Sequence, residues 1–424
     1  MAAHAIPEVG FDDLDARLKV RERRVPIEGT LETTYRCNLR CAHCYVNEAV
    51  GDAEEAAREL SLERLKQLVD EIADRGCLFL LITGGEVLVR PDFPELYLHA
   101  LRRGLLLNVY TNGTLITDRI ADLFSEWRPQ ILEISLYGAT RETYERVTQV
   151  PGSYDKCIAG IRRLVERGVP LRLKTMALSW NYHELEAMRA LAASFGLVFR
   201  WDSSLNPRVD CGANRNGELQ LHADESARLE RENPERIAEL RAFIERFKTI
   251  DAEINASPDG EYVYGCGAGQ MSFAVDPYGR LQMCLLSRKR FVDLKQASFA
   301  EGWDVQFPEF RARRWQKASA CRDCNLRSFC SNCPGAAEME TGDIEGQIPV
   351  FCENTHARAF AIMGGDFPGH REDASCCLGR PDGAERGAAR VAELRAGGCG
   401  SCGHNGQAAS EGLIQLQRRA PVAR

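Results

Sequence analysis

The feature that most constrains this chain is a strand–helix alternation running from about Ile27 to Ser204. "GTLETTY" reads as a short strand. The apolar runs "CLFLLIT", "LLLNVY", "ILEISLY", "LRLKTMAL" and "LVFRWDS" follow in turn. Helical stretches separate them, at Ser61–Gly76, Asp92–Arg103, Thr117–Trp127, Ser153–Arg167 and Tyr182–Phe195. In the first, Ser61 is a good N-cap, Leu62, Leu65, Leu68, Val69 and Ile72 share one face, and Gly76 ends the helix. A continuous run such as "CLFLLIT" is expected of a strand buried on both faces. Strands joined by helices pair in parallel with the helices outside. Six such units fall short of the closed eight-fold barrel, so the expected fold is α/β, a partial (β/α)6 TIM-like barrel.

The remaining sequence divides by composition. Residues 1–26 read as an N-terminal extension and 27–222 as the barrel. Residues 223–264 read as a solvated helical connector rich in Glu and Arg, and 265–363 as a small cysteine-rich α+β domain. Residues 364–424 read as a flexible tail of Gly, Ala, Arg and Cys. The N-terminus lacks a basic segment followed by an apolar one, and no apolar run is long enough to cross a bilayer. The net charge of -7 gives no basic stripe for nucleic acid. A cytoplasmic protein without membrane or nucleic-acid partners is expected.

Seventeen cysteines, an odd number in a large chain without an export signal, argue against a disulfide framework and for thiolates that bind metal or do chemistry. Cys77 and Cys157 stand alone and read as core. The others cluster. "CNLRCAHC" places Cys37, Cys41 and Cys44 in eight residues. Three thiols so close can form a strained disulfide, ligate zinc, or hold a cluster with one ligand missing. They follow the first strand, and ligands in parallel α/β folds bind at the C-terminal ends of strands. "TGGE", Thr83 to Glu86, follows the second strand, and "TNG", Thr111 to Gly113, the third. Ser135 lies on the fourth, Lys174 on the fifth, Arg200 and Asp202 on the sixth. Adjacent glycines let a ligand approach the backbone closely, and Glu86 can accept from an ammonium group.

In this arrangement the sequence resembles the radical S-adenosylmethionine (SAM) enzymes. The resemblance implies that Cys37, Cys41 and Cys44 bind three irons of a [4Fe–4S] cluster whose fourth iron chelates SAM. It implies that His43 lies near the adenine, that Gly84, Gly85 and Glu86 hold the methionine amino group, and that Ser135 lies near the ribose or carboxylate. Asn112, Arg146 and Lys174 are further candidates, each with a plain reading as a barrel-rim residue.

In the second region, Cys266 and Cys284 flank "GAGQMSFAVDPYGRLQM", a β-hairpin pattern with a Pro-Tyr-Gly turn. "CRDCNLRSFCSNC" carries Cys321, Cys324, Cys330 and Cys333, and Cys352 follows. C-x2-C pairs also suit structural zinc. The region resembles the SPASM extension of radical SAM enzymes. This implies two auxiliary [4Fe–4S] clusters, one on Cys266, Cys284 and Cys333, the other on Cys321, Cys324, Cys330 and Cys352. Cys211 is weighed as a fourth ligand of the first against an uninvolved loop thiol. Cys376, Cys377, Cys399, Cys402 and His404 of the tail lie outside the resemblance. Leu285 stands where sulfatase-maturating enzymes carry a basic Asp.

The implied activity is an oxidoreductase that cleaves SAM and abstracts hydrogen from a substrate, first of all a ribosomally made peptide. The substrate alternative is a small molecule or cofactor precursor. A non-enzymatic iron–sulfur electron carrier is the third reading, but it gives no reason for the Gly-Gly-Glu turn. A reductase, flavodoxin or ferredoxin would supply electrons. Only 36 residues precede Cys37, so a separate leader-peptide-recognition protein is expected.

Overall fold

A computed structural model of the chain describes residues 19–363 apart from 47, 207, 210–215, 235, 243–244, 246–260, 318–320, 323, 325 and 327–329. Six strands carry the alternation: β1 (Glu28–Glu32), β2 (Phe79–Thr83), β3 (Leu106–Thr111), β4 (Ile131–Ser135), β5 (Leu171–Met176) and β6 (Val198–Asp202). Each pairs in parallel with the next. The main helices between them are α1 (Leu62–Asp74), α2 (Phe93–Arg102), α3 (Asp118–Glu126), α4 (Arg141–Thr148), α5 (Ser153–Glu166) and α6 (Leu185–Ser194). The Ser61 hydroxyl accepts from Arg64 N, and Leu65, Leu68, Val69 and Ile72 are buried, as the sequence predicts. Each such side chain stabilises the fold by about 1.5–3 kcal/mol.

The strands are not closed in on both faces. Leu80 and Ile82 of β2 are buried among the helices, whereas Phe79 and Leu81 are only half-buried. In β5, Leu171, Leu173 and Thr175 are buried, while Arg172, Lys174 and Met176 alternate to the other face. The sheet therefore has an apolar, helix-covered side and a more polar inner side. An open barrel leaves that inner face accessible, which the continuous apolar runs do not reveal.

The sheet also continues beyond the six units. The hairpin β7 (Ser272–Val275) and β8 (Arg280–Gln282), with β9 (Val292–Asp293), gives the order β9-β8-β7-β1-β2-β3-β4-β5-β6 among the described residues. The predicted Pro-Tyr-Gly turn is present: Gly279 has φ 87°, and Asp276 Oδ1 accepts from Tyr278 N and Arg280 N. β7 runs parallel to β1 with Gly29 opposite Phe273. A Cβ at Gly29 would lie 2.3 Å from the Phe273 ring, so only glycine admits the contact. Phe273, Phe299, Trp303 and Phe307 then pack ring to ring, and Trp303 Nε1 donates to Arg24 O at 2.7 Å. The cysteine-rich region thus shares both sheet and core with the barrel.

Two expectations are corrected. The connector contains α7 (Ala223–Arg231), but this is no solvated helix. It packs on α9 (Pro349–Met363), and its buried Glu230 pairs with Arg358 at 3.0 Å. The Tyr182–Phe195 stretch begins as a 3-10 turn, Tyr182–Glu184, before α6. Helices α4, α8 (Pro334–Thr341) and α9, with a short helix at Ala53–Arg58, are among those additional to the expected ones. The tail cysteines and Cys211 lie outside the described residues.

Candidate active site and cluster-binding regions

Beyond β1 the chain makes a closed loop. Arg36–Cys37 pairs with Glu48–Ala49, so both ends of the cysteine segment are tied together. The C-terminus of α4 holds the middle: Arg40 N donates to Thr148 O at 3.0 Å and Ala42 N to Val147 O at 2.9 Å. These helix-end carbonyls otherwise lack intrahelical partners. Cys37 Sγ accepts from Leu39 N at 3.4 Å and from Asn112 Nδ2 at 3.8 Å. The loop brings the three sulfurs into one another's field. Burial pushes the Cys37 thiol up to about 12, with the Glu86 carboxylate adding. Burial, then Cys44 and Cys37, pushes Cys41 well above the ordinary thiol range, and burial raises Cys44 too.

Three half-buried cysteines whose thiols resist ionising one another need positive charge before they become thiolates, and bound iron supplies it. Among the described residues no three His, Cys, Asp or Glu side chains group as ligands of a single ion. A cluster gives each thiolate its own iron, so its ligands need not share one centre. The donor set therefore suits a cluster with an open iron.

The next strand end is stitched onto this loop. Gly85 N donates to Thr34 O at 2.7 Å and Glu86 N to Arg36 O at 3.0 Å. A Cβ at Gly84 would lie 2.2 Å from Thr34 O, and one at Gly85 would lie 2.4 Å from Arg36 O. Gly84 also has φ 139°. The two glycines are required by close backbone packing, before any ligand is considered. Glu86 is fully buried. Its Oε1 accepts from Thr111 Oγ1 at 2.7 Å and Leu88 N at 3.1 Å, and its Oε2 from Asn112 N at 2.7 Å. Burial raises its pKa against these three bonds. Glu86 thereby braces the ends of β2 and β3, while Oε2 keeps acceptor capacity.

His43 packs edge-on against Tyr137 with centroids 4.8 Å apart. Burial pushes its pKa down to about 4, so the ring is neutral at physiological pH. Its buried Nδ1 has no hydrogen-bond partner. An orphaned ring nitrogen beside the thiol loop fits a ligand with a complementary polar edge, as a purine has. Ser135 ends β4 opposite Lys174 in register. Asn112 donates to Asn38 Oδ1 at 2.9 Å as well as to Cys37. Arg146 stacks on Trp180 at 4.6 Å.

Farther along the inner face, Glu133 of β4 is shared by two cations. Lys174 Nζ lies 3.3 Å and Arg200 Nη2 2.5 Å from the same Oε2. Lys174 Nζ also sits 3.0 Å above the Tyr110 ring. Burial, with Arg200 adding, pushes the Lys174 pKa down to about 7.

Glu32, at the end of β1, carries a second buried pair. Arg288 Nη1 and Nη2 donate to its oxygens at 2.7 and 3.1 Å, and Tyr35 and Tyr45 hydroxyls donate at 3.0 and 3.2 Å. Arg288 is four residues beyond Cys284, so this pair ties the first cysteine region to the second. A cavity of about 580 Å³ lies at that junction, lined among others by Tyr35, Arg58, Tyr278, Gln282 and Arg288.

The second region collects its cysteines in two groups. Burial pushes Cys284 up to about 12, with Cys266 and Cys333 adding. Burial pushes Cys352 up to about 11, with Cys330, Cys324 and Cys321 adding. Cys333 stands between them, in the field of Cys330 as well as of Cys266. Backbone amides already point at the sulfurs: Leu326 N at Cys324, Asn332 N at Cys330 and Ala336 N at Cys333, at 3.3–3.4 Å. Cys333 Sγ thereby caps α8.

Sequence reasoning missed α4, Tyr137 and the Glu32–Arg288 pair. Thr140, whose hydroxyl accepts from Thr143 N, was the available signal for α4. No local pattern marks the other two.

Comparison with known proteins agrees with this geometry. Residues 31–192 match the model of the radical SAM superfamily, and 266–325 that of the SPASM iron–sulfur cluster-binding domain. The chain is 26% identical to the AdoMet-dependent heme synthase of Methanosarcina barkeri, covering 75% of this chain and 94% of that protein. It is also 26% identical to the antilisterial bacteriocin subtilosin biosynthesis protein AlbA of Bacillus subtilis, covering 73% and 67%. The fold matches that of Streptococcus suis SuiB, solved bound to its precursor peptide SuiA, with TM-score 0.57, 15% identity and coverage of 82% and 83%. The thiol loop at the end of β1, the Gly-Gly-Glu turn stitched to it and the cysteine-rich region sharing its sheet accordingly place this chain in the radical SAM superfamily, with a C-terminal SPASM domain.

Proposed function

We propose that this protein is a radical SAM/SPASM oxidoreductase that acts on a ribosomally made peptide during its maturation. The carrying observation is the junction of the three-thiol loop with the Gly84-Gly85-Glu86 turn, since an open cluster and SAM are needed side by side. When bound together, the two supply one-electron cleavage of the sulfonium, giving methionine and a hydrogen-abstracting 5′-deoxyadenosyl radical.

The chain's own residues have the following tasks. Cys37, Cys41 and Cys44 would hold the cluster, and the α4 terminus fixes their loop. The Gly84–Gly85 backbone and Glu86 would receive the methionine amino group, His43 the adenine and Ser135 the ribose or carboxylate. Cys266, Cys284 and Cys333 would hold one auxiliary [4Fe–4S] cluster. Cys321, Cys324, Cys330 and Cys352 would hold the other. The inner face of the barrel would receive the substrate. Electrons would come from a reductase, flavodoxin or ferredoxin, and a separate recognition protein would present a leader peptide.

Similarity to a bacteriocin biosynthesis protein supports the peptide reading. Similarity to a heme synthase over most of that protein's length supports a second one, the same chemistry on a small cofactor precursor. Anaerobic protein reduced with dithionite and given SAM should release 5′-deoxyadenosine, and the Cys41→Ala variant should not. Co-expression with any short peptide found to be encoded beside it should change that peptide's mass. Release of 5′-deoxyadenosine together with an unaltered peptide would move the assignment to the second reading. No release from wild type would end both.

A further inference from the structure

The shared carboxylate on the inner face carries an inference that rests on the radical SAM reading and deepens it. Glu133 Oε2 accepts from both Lys174 and Arg200, so one buried anion serves two cations. Arg172 lies two residues from Lys174 on the same side of β5, and Asp202 two residues from Arg200 on the same side of β6. On β4, β5 and β6 alone, three basic and two acidic groups leave this part of the wall one positive charge in excess when all are ionised. Arg200 is 54% exposed, so the excess charge is accessible.

We propose that Lys174 and Arg200 form a carboxylate-recognition site that orients the substrate, which therefore carries a free carboxylate, against the inner wall of β5 and β6. The two donors come from adjacent paired strands, Lys174 opposite Arg200 in register, a spacing that suits the two oxygens of one carboxylate. Lys174 is at the level of Ser135, the candidate SAM contact.

The present ionisation of the wall agrees. Tyr110, Glu133, Arg172, Arg200 and Asp202 share this face with Lys174 on β3 to β6, and farther round the sheet β1 adds Glu28 and Glu32, the latter paired with Arg288. With one carboxylate divided between two cations, burial holds the Lys174 pKa at about 7. A second carboxylate would raise it. Binding should then take up a proton, and affinity should fall as pH rises above about 7.

The test uses the full-length, anaerobically reconstituted protein with SAM bound and unreduced. The probes are pools of N-acetylated hexapeptides that differ only in a free or amidated C-terminus, or in an internal Glu or Gln. Retention is read by equilibrium dialysis and mass spectrometry. At least one acidic pool should be retained about tenfold over its neutral counterpart, a margin of about 1.4 kcal/mol. Lys174→Met and Arg200→Gln should erase that preference. Lys174→Arg should restore it and extend it above pH 7. Glu133→Gln, which frees both cations, should strengthen it, whereas a purely structural role would weaken it.

Equal retention of acidic and neutral pools, or a weakened preference in Glu133→Gln, overturns the proposal. So does a greater loss of SAM than of peptide in Lys174→Met, which would assign the carboxylate to SAM's methionine. If wild type releases 5′-deoxyadenosine on reduction while the pools are not distinguished, only this proposal fails. Without release, the underlying reading fails.

Discussion

Replacing Arg288 with Met tests how the two cysteine regions are joined. Glu32 is completely buried and Arg288 nearly so, and their two hydrogen bonds are 2.7 and 3.1 Å long. Met preserves much of the side-chain volume but strands a buried carboxylate. Losing one member of a buried pair costs about 3–5 kcal/mol. The Tyr35 and Tyr45 hydroxyls still donate to Glu32, which places the loss near the lower end, about 3 kcal/mol. Adding Glu32→Gln removes the stranded charge while leaving an oxygen to accept from a tyrosine. The double variant should therefore be more stable than Arg288→Met alone, at a cost of about 1–2 kcal/mol relative to wild type. Urea unfolding of anaerobic protein, followed by circular dichroism, reads both differences from the midpoints at an unchanged slope. A double variant less stable than Arg288→Met, or a single-variant loss below about 1 kcal/mol, would refute the claim that this pair contributes to joining the regions beyond their shared sheet and core.

Three other outcomes follow from the geometry. Asp276 has its pKa raised to about 6 by burial, so its contribution is fully present below the usual carboxylate value and is lost as pH rises through about 6. Asp276→Asn can keep both turn hydrogen bonds and should flatten this dependence in melts from pH 4 to 7, gaining at most about 3 kcal/mol over wild type at the upper end. Gly85→Ala forces a methyl against Arg36 O and Tyr35 O, and should abolish 5′-deoxyadenosine release and lower the melting temperature, as calorimetry would show. Wild type should hold about twelve irons by anaerobic counting, and the Cys37→Ala/Cys41→Ala/Cys44→Ala variant about eight; a fall to zero would mean the cysteine groups load cooperatively.

How far the sequence alone reached depended on the range of the forces involved. Ser61 and the Leu65–Ile72 face of α1, the alternation of strand and helix and the Pro-Tyr-Gly hairpin were legible because period, caps and turn residues act within a few positions. The spacing of Cys37, Cys41 and Cys44 and the grouping of the later cysteines were legible as patterns, once set beside a resemblance. Helix α4 was not, since "RETYERVT" is polar apart from Tyr144 and Val147, and its stability depends on packing against the barrel.

Other features belong to tertiary structure alone. Glu32 and Arg288 are 256 positions apart, and nothing local in either selects the other. The same holds for Gly29, whose missing side chain admits Phe273 and lets the second domain extend the first one's sheet. The sharing of Glu133 by Lys174 and Arg200 arises only where three adjacent strands turn their inner faces the same way. Sequence determined the six strands, most of the helices between them and the spacing of the clustered cysteines, because those follow from neighbours in the chain. Which distant charges meet, and how much charge remains for a ligand, was decided by the closing of the sheet, because burial and Coulomb forces depend on distance in space.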